Sequence, residues 1–344
     1  MTAANPNKLP TALAPVDPAD PTWFPFDVDV AGGRLQWLCV DEALIAESAF
    51  LDPRMPTAGR PQALTALAPV ADLHPPAVTP AWLWHTSFCG STLLARILHL
   101  APYSVALREP LLLRRLSDAA DAGVDITPWL SPLIALLARP WRPEGRVVIK
   151  PTHAALNLAR VAMASTPTAK ALLLTSPLED FLVSHLKKSA DTLSKIPLLA
   201  ERALRAGDLL PRLPAEALQP PSALAAAALQ WAAQRELVAA LRADCGPRLR
   251  VLDWARLRER IEDGAVESAG FLGLDLPEAA LRAHARACAG VHAKAPARRY
   301  DTATLRDENA WLRTQHQAVV FEAVRWAEAH VLPALSPEAL RVDG

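Results

Sequence analysis

The sequence has little that would favour a metalloprotein, a disulfide-stabilised domain or a membrane protein. Its four cysteines are far apart and form no CxxC pair, which favours a reduced, cytoplasmic setting. Its histidines show no metal-ligand spacing such as HxxxH, so we predict no metal site. The N-terminus lacks a basic region followed by an apolar core, which predicts no signal peptide.

No run of residues is long and apolar enough to predict a membrane span. The Ala-rich stretch "PSALAAAALQWAAQRELVAALRA" comes nearest, but Gln230, Gln234, Arg235 and Glu236 interrupt it. An excess of either charge is missing as well, because 36 basic residues balance 36 acidic ones over 344 residues. This balance argues against general nucleic-acid binding, although a local basic pocket remains compatible with it.

What is present is enough apolar sequence for a large core, since 51% of the residues are hydrophobic. The chain length suits one large domain or two ordinary ones. Residues 1–22 are rich in Pro, Asp and Ala and are predicted to be a flexible arm. Residues 23–78 are predicted to be a small extension. In it, "FDVDVAGGRLQWLCV" indicates a hairpin around Gly32 and Gly33, Asp41 caps a short helix, and a proline-punctuated connection follows.

From residue 79 onward, short apolar runs alternate with helical stretches, and this pattern indicates the main domain, 79–344. The runs lie at 81–84, 104–107, 146–150, 170–175 and 248–253. They do not alternate strictly between apolar and polar residues, as is typical of strands covered on both faces. We therefore predict an α/β fold in which a parallel sheet lies between two helix layers and binds ligands at the carboxyl ends of its strands.

A candidate anion-binding loop lies in "AWLWHTSFCGSTLLARILHL", residues 81–100, which reads as strand, loop and helix. Backbone amides at a helix N-terminus are unpaired, and the helix dipole favours an anion there. Gly90 permits close backbone approach, and Ser91 and Thr92 add hydroxyl groups. A Walker A loop would read GxxxxGK[ST], but its first glycine position holds His85 and its lysine position holds Ser91.

The loop segment "FCGSTLL" resembles the 5′-phosphosulfate loop of sulfotransferases, which often reads "RSGSTLL". Four further segments resemble motifs of that family in the same order, over roughly residues 81–300. They are "SVALREPLLLRRL", the pairing of "RVVIK" with "KALLLTSPLEDFLVSHLKK", "LRVLDWARL" followed by "AGFLGLDL", and the basic "HAKAPARRYD". The resemblance implies a fold like that of P-loop NTPases and the co-substrate 3′-phosphoadenosine 5′-phosphosulfate (PAPS), with no metal.

The resemblance also implies the roles of individual residues. The donor-binding set comprises Ser87, Phe88, Cys89, Gly90, Ser91, Thr92, Thr175, Ser184, Arg298 and Arg299. Glu109 is the candidate general base toward an acceptor hydroxyl, and Lys150 would stabilise charge near the transferred sulfonate. Each has a structural alternative: Glu109 could form a salt bridge with Arg108 or Arg114, and Lys150 could be a solvated lysine at a strand end.

Other polar residues near these motifs fit a structural role at least as well as a functional one. Lys187 and Lys188 could either cap their helix or bind phosphate. His85 and His153 fit hydrogen-bonded structural histidines better than catalytic ones. Cys89 lies where a thiol pKa can fall, but no motif supports a nucleophilic role for it.

The sequence departs from the family at two positions that usually hold cations. The basic loop residue is replaced by Phe88, and the arginine of the family's "RxP" segment is replaced by Thr175. Three functions therefore stay open. They are sulfonate transfer to a hydroxyl or amine of a small-molecule or peptide acceptor, a non-catalytic binding or scaffold role on the same fold, and a nucleotide-dependent kinase or NTPase. The last would need a magnesium ligand, for which Asp253 is the nearest candidate.

Overall fold

A computed structural model describes residues 16–73, 78–299 and 302–343, with the side chains of 295–299 and 302 outside that description. The main sheet has five parallel strands: β4 (Ala81–His85), β5 (Ser104–Arg108), β6 (Arg146–Lys150), β7 (Ala171–Thr175) and β8 (Leu249–Asp253). Every strand lies within one residue of an apolar run in the sequence. The predicted α/β fold with a parallel sheet is thus confirmed.

Upstream of this sheet lies the N-terminal module, residues 16–73. It contains β1 (Trp23–Asp29), β2 (Arg34–Cys39), α1 (Glu42–Glu47) and β3 (Gln62–Ala66). The hairpin of β1 and β2 is confirmed, and the Asp41 side chain accepts a hydrogen bond from the amide of Leu44, as predicted for the cap of α1. The segment read as a plain connection instead contains β3, which pairs antiparallel with β2.

Helices occupy most of the remaining chain. They are α2 (Ser91–Ile97), α3 (Leu111–Asp121), α4 (Thr127–Leu137), α5 (Ala159–Ser165), α6 (Leu178–Leu186), α7 (Ala190–Ser194), α8 (Ile196–Ala206), α9 (Ala223–Cys245), α10 (Trp254–Glu259), α11 (Ile261–Leu272), α12 (Glu278–Ala289), α13 (Thr302–Gln315) and α14 (Gln317–His330). Between α12 and α13 a small hairpin pairs β9 (Val291–His292) with β10 (Ala295–Arg299). Short 3-10 helices span Ala68–Asp72, His153–Leu158, Leu210–Arg212, Ala215–Leu218, Gly246–Arg248, Leu332–Ala334 and Pro337–Leu340.

Both faces of the main sheet are covered by apolar side chains. Along β4, Leu83 packs into a core shared with α2, α11 and α12, whereas Trp82 and Trp84 pack into the larger core on the opposite face. That larger core is continuous with the N-terminal module, because it includes Phe24 and Trp37. The resulting three layers explain why the strands are continuously apolar.

The order of the strands is β5-β6-β4-β7-β8, so β4 lies at the centre of the sheet. After β4 the chain adds β5 and β6 on one side, and then crosses to add β7 and β8 on the other. Such a reversal leaves a crevice at the carboxyl ends of the central strands. The sequence loop 86–90 follows β4 directly at this edge.

Two arginines attach the N-terminal module to the main domain through backbone carbonyls. Arg108, at the end of β5, donates to the carbonyl oxygens of Ile45, Ala46 and Ser48, and it is 1% exposed. Arg139, just after α4, donates to carbonyl oxygens of residues 18, 20 and 23. Of the predicted arm 1–22, residues 16–22 are therefore packed turns, while residues 1–15 lie outside the described residues.

Within the described part of the chain, no helix combines the length and the apolar character needed to cross a membrane. The long helix α9 includes the Ala-rich stretch, and it buries the polar residues that interrupt it. Arg235 donates to the carbonyl oxygens of Ala339 and Arg341, and Glu236 accepts hydrogen bonds from Ser336. These side chains fix the C-terminal segment against α9.

Candidate functional site

A cleft of about 580 Å³ opens at the carboxyl edge of the main sheet, at the crevice described above. Its floor includes the loop after β4 and the first turn of α2. One wall comes from α6, and the opposite wall comes from the N-terminal module and from the turn between β9 and β10. Its volume lies within the range of small-molecule sites, which is roughly 300–1,000 Å³.

The loop 86–90 is held in an unusual backbone conformation. Gly90 has a φ of +69° and Phe88 has a φ of +56°. Only glycine could stand at position 90, because a Cβ there would lie 2.3 Å from ring atom Cδ2 of Trp254. Close approach to an aromatic ring is therefore a second reason for this glycine, beside the approach of an anion.

The positive φ of Phe88 is compensated by the packing of its side chain. The Phe88 ring lies 6.1 Å from the Phe181 ring and 4.7 Å from the His185 ring, measured between centroids, and both partners belong to α6. A non-glycine residue with positive φ costs free energy and persists where its surroundings impose it. The aromatic contact thus fixes the loop against α6.

Lys188 follows α6 and brings a cation to the loop. Its Nζ atom lies 4.5 Å from the centroid of the Phe88 ring. Burial, together with the nearby charges of Lys294 and Lys187, lowers the pKa of Lys188 to about 8. The loop position that holds Phe88 in place of a basic residue therefore has the ammonium group of Lys188 directly over its ring.

Glu109 and Lys150 form an ion pair at the adjacent strand ends. In the parallel register of β5 and β6, Arg108 is paired with Lys150, so Glu109 follows immediately beside it. The Lys150 Nζ atom donates to Glu109 Oε1 at 2.7 Å, and Lys150 is 0% exposed while Glu109 is 16% exposed. The salt-bridge partners expected from the sequence were Arg108 and Arg114. Instead, Arg108 binds the N-terminal module and Arg114 pairs with Asp118.

The charge of Lys150 dominates the ionisation of Glu109. Burial favours the neutral carboxyl, but the charge of Lys150 and its hydrogen bond outweigh it and lower the pKa of Glu109 to about 2. Glu109 lines the cleft and has a φ of +54°. Strained residues concentrate at functional sites, and Phe88 and Glu109 lie in one cleft.

Two histidines lie next to this ion pair in neutral form. Both ring nitrogens of His85 face backbone carbonyl oxygens, Nδ1 toward Thr86 at 2.7 Å and Nε2 toward Pro151 at 2.9 Å. Burial and the charge of Lys150 hold the pKa of His85 well below its usual range. His153 also lines the cleft, and burial lowers its pKa to about 4 against the raising effect of Glu109. Its buried Nδ1 atom has no hydrogen-bond partner.

The structure brings seven of the sequence-predicted site residues to the cleft: Phe88, Cys89, Gly90, Ser91, Thr92, Glu109 and Ser184. Ser87, Lys150 and Thr175 lie beneath it and are at most 1% exposed. The Thr175 hydroxyl is buried without a partner, and Ser87 lies 3.4 Å from the amide of Gln230. Arg298 and Arg299 belong to β10, with side chains outside the described residues.

Two weaker sequence candidates have structural roles. Burial raises the pKa of the Cys89 thiol to about 11, which is opposite to the lowering that a helix N-terminus can produce and leaves a thiol of low reactivity. Asp253 caps α10 by accepting hydrogen bonds from the amides of Ala255 and Arg256. Among the residues that the structure describes, no group of three or more His, Cys, Asp or Glu side chains is arranged to hold a metal ion.

Sequence reasoning missed several cleft residues that come from distant elements. Phe50 and Arg54 belong to the N-terminal module, Trp254 and Arg258 belong to α10, and Lys294 lies in the turn before β10. Lys294 and Trp254 had a local signal, since they lie within the segments "HAKAPARRYD" and "LRVLDWARL". The others are brought to the cleft by the tertiary fold.

No family model matches the sequence, and no curated protein matches it either. The resemblance to sulfotransferases therefore rests on the five sequence motifs.

Proposed function

We propose that this protein binds PAPS in the cleft and transfers its sulfonate group to an acceptor, on a fold of the sulfotransferase type. The observation that supports this most is the position of Lys188 above Phe88. Lys188 thus brings a cation to the loop position where the sequence has Phe88 in place of a basic residue. Lys187 and Arg258 line the same cleft as Gly90, Ser91 and Thr92, and add further cations to it.

The polar residues of the cleft suggest how the donor is oriented. The 5′-phosphosulfate would lie on the loop, where Ser91 and Thr92 offer hydroxyl groups and Lys188 offers a charge. The 3′-phosphate would lie near the end of α6, where Ser184 and Lys187 face the cleft. Lys187 is paired with Glu308 at 2.6 Å, so the phosphate would compete with that carboxylate.

The transfer step needs an acceptor, a leaving group and a base. The acceptor hydroxyl oxygen attacks sulfur, the bond from sulfur to the bridging phosphate oxygen breaks, and 3′-phosphoadenosine 5′-phosphate leaves with that electron pair. The proton of the hydroxyl passes to Glu109, which lines the cleft as a carboxylate. Lys150 does not reach the cleft, so it acts by its charge through Glu109 rather than on the sulfonate directly.

Donor binding would adjust the basicity of Glu109. A carboxyl with a pKa of about 2 is a weak base, because proton transfer is most efficient when the pKa lies near the operating pH. A bound phosphosulfate adds negative charge close to Glu109, and a like charge raises a carboxyl pKa. The base would thus strengthen when the donor is in place.

One observation favours a second candidate, a binding protein of the same fold without catalysis. Thr175 stands where the family has a phosphate-binding arginine, and it is buried beneath the cleft. In that case the protein would bind the donor or its product without transferring sulfonate to any acceptor. A kinase or NTPase has less support, because Ser91 replaces the Walker lysine and Asp253 is used as a helix cap.

Calorimetric titration with 3′-phosphoadenosine 5′-phosphate tests the proposal. We expect binding by the wild type and roughly 10- to 100-fold weaker binding by Lys188→Met, since a charge-assisted hydrogen bond contributes about 1.5–3 kcal/mol. Affinity should also fall as the pH rises above about 8, where Lys188 loses its proton, and this fall should be absent in the variant.

Lys195→Met is the matched control, because Lys195 is 61% exposed and pairs only with Asp191 on α7. It should leave the affinity unchanged. Absence of heat from the wild type at millimolar ligand would contradict the proposal. Binding without transfer of labelled sulfonate to any hydroxyl or amine acceptor would select the non-catalytic candidate.

A further inference from the structure

The wall of the cleft next to Glu109 is built by the segment between α1 and β3. The amide of Leu51 donates to the carbonyl oxygen of Arg108 at 2.7 Å, and the amide of Leu111 donates to the carbonyl oxygen of Leu51 at 2.9 Å. These two bonds hold the segment across the end of β5, on both sides of Glu109. Phe50 and Arg54, which flank Leu51, line the cleft there.

Two cations meet at the ring of Phe50. The guanidinium carbon of Arg54 lies 3.8 Å from the ring centroid, and the Nζ atom of Lys294 lies 5.5 Å from it. A cation over an aromatic face is attracted by the ring electrons, which helps to keep each one in place. Two like charges held by one ring at the edge of a cleft form a candidate receptor for an anion.

The charges around this ring do not cancel. Arg54 pairs with Asp52, and Lys150 pairs with Glu109, so among the residues that the structure describes the positive charge of Lys294 is in excess. The hydrogen bond to Asp52 is the main cause that raises the pKa of Arg54, and the charge of Glu109 adds to it. Arg54 is therefore within electrostatic range of the proposed base.

The surroundings of Lys294 show the same excess. Loss of solvation lowers the pKa of Lys294, Glu109 raises it, and the charges of Lys150 and Arg54 lower it further. Glu109, which is also paired with Lys150 at 2.7 Å, offsets this repulsion only in part, since the pKa of Lys294 stays lowered. A negatively charged ligand beside Lys294 would relieve the rest.

We infer that the acceptor is a small hydroxyl compound with its own anionic group, which binds between Arg54 and Lys294 while its apolar part packs on Phe50. The inference rests on the proposed function, since it places the hydroxyl of that acceptor at Glu109. Arg54, Lys294 and Phe50 thus determine acceptor specificity, and the N-terminal module supplies two of these three residues.

Three phenols whose para substituents carry different charges test this inference. The acid 4-hydroxyphenylacetate is anionic, its methyl ester is neutral and tyramine is cationic. Each is titrated by calorimetry into the protein saturated with 3′-phosphoadenosine 5′-phosphate. We expect the acid to bind about 10- to 100-fold more tightly than the ester, because it alone brings a negative charge to the two cations, and tyramine to bind most weakly.

Arg54→Gln and Lys294→Gln should each reduce the preference for the acid over the ester and leave the affinity for the ester nearly unchanged. Arg60→Gln is the control, because Arg60 lies in the same module and pairs with Asp41 without lining the cleft. The side chain of Arg54 is 59% exposed, so its variant should keep the thermal stability of the wild type.

The failures of the two proposals can be told apart. Failure of the nucleotide titration overturns the proposed function. If the nucleotide binds, equal affinities for acid and ester, or no binding of the acid at millimolar concentration, overturn the inference alone. A preference for the acid that Arg54→Gln leaves intact overturns the assignment of the anion to Arg54.

Discussion

At the scale of single residues, the ion pair of Glu109 and Lys150 combines stability with the proposed chemistry. Lys150 is fully buried, so its charge depends on this one carboxylate for compensation. Removing one partner of a buried pair is strongly destabilising, whereas removing both can be nearly neutral. The Glu109→Gln variant therefore changes the fold as well as the base.

We expect Glu109→Gln to lower the free energy of unfolding by about 3–5 kcal/mol at pH 7 and the double variant Glu109→Gln/Lys150→Met to lie close to the wild type. Denaturant unfolding measures both. A single variant as stable as the wild type would show that the pair contributes nothing to stability. Loss of sulfonate transfer in that single variant would then report on the base alone.

The same pair has a defined pH dependence. The pKa of Glu109 is lowered on folding from 4.5 to about 2, so the carboxylate contributes its stabilisation above pH 4.5 and loses it as the pH falls toward 2. The difference in unfolding free energy between the wild type and the double variant should change over this interval and be constant from pH 5 to 7. A change between about pH 4 and 6.5 would point instead to His153, whose pKa is lowered from 6.5 to about 4 on folding.

At the scale of secondary-structure elements, the loop between β4 and α2 is defined by Gly90 and its contact with Trp254. Gly90→Ala combines a left-handed backbone with a Cβ at 2.3 Å from the ring. Gly123→Ala is the matched control, since Gly123 has a φ of +81° and no atom within 4 Å of an added Cβ. Both variants place alanine in a left-handed backbone conformation, but only Gly90→Ala also brings a Cβ against the ring of Trp254.

We expect Gly123→Ala to cost about 1–2 kcal/mol of unfolding free energy, the strain of one left-handed residue. Gly90→Ala should cost more and should also weaken binding of 3′-phosphoadenosine 5′-phosphate, because the loop must shift. Adding Trp254→Ala should recover most of the excess, as a thermal-unfolding cycle would measure. Equal costs for the two glycine variants would contradict the role of the Trp254 contact.

The secondary-structure elements could be predicted from the sequence better than the contacts between side chains in the site. Each of the five central strands is a short, mostly apolar run, because helices cover both faces, and this signal is local. The strand β3, "QALTA", has no such signal, since its placement depends on pairing with β2. The ion pair of Glu109 and Lys150 depends on the register between β5 and β6, which no local pattern encodes. Phe50 and Arg54 reach the cleft only through the tertiary fold.

At the scale of the whole molecule, the N-terminal module and the main domain share one core. Phe24 and Trp37 of the module belong to the same apolar cluster as Trp82 of the sheet. Arg108 adds hydrogen bonds to three carbonyl groups across the junction. This continuity makes the module part of the cooperative unit that shapes the cleft.

We expect a single unfolding transition in calorimetry, with the calorimetric enthalpy equal to the van't Hoff enthalpy. Arg108→Met should destabilise the protein by about 1–3 kcal/mol for each carbonyl left unpaired. Arg114→Met, which removes only a partly exposed pair with Asp118, should cost about 0.5 kcal/mol or less. Two separate transitions, or equal effects of the two arginine variants, would refute a shared cooperative unit.

The buried arginine bonds at the junction and the exposed ion pairs at the rim of the cleft should respond differently to ionic strength. Backbone carbonyls have no titratable charge, and their buried bonds with Arg108 are poorly screened, so added salt leaves this wall in place. The exposed pairs at the rim, such as Arg54 with Asp52, are screened readily. Raising the salt concentration should therefore weaken the attraction of charged ligands without altering the shape that receives them. A salt titration of this protein reports the charge of whatever it binds.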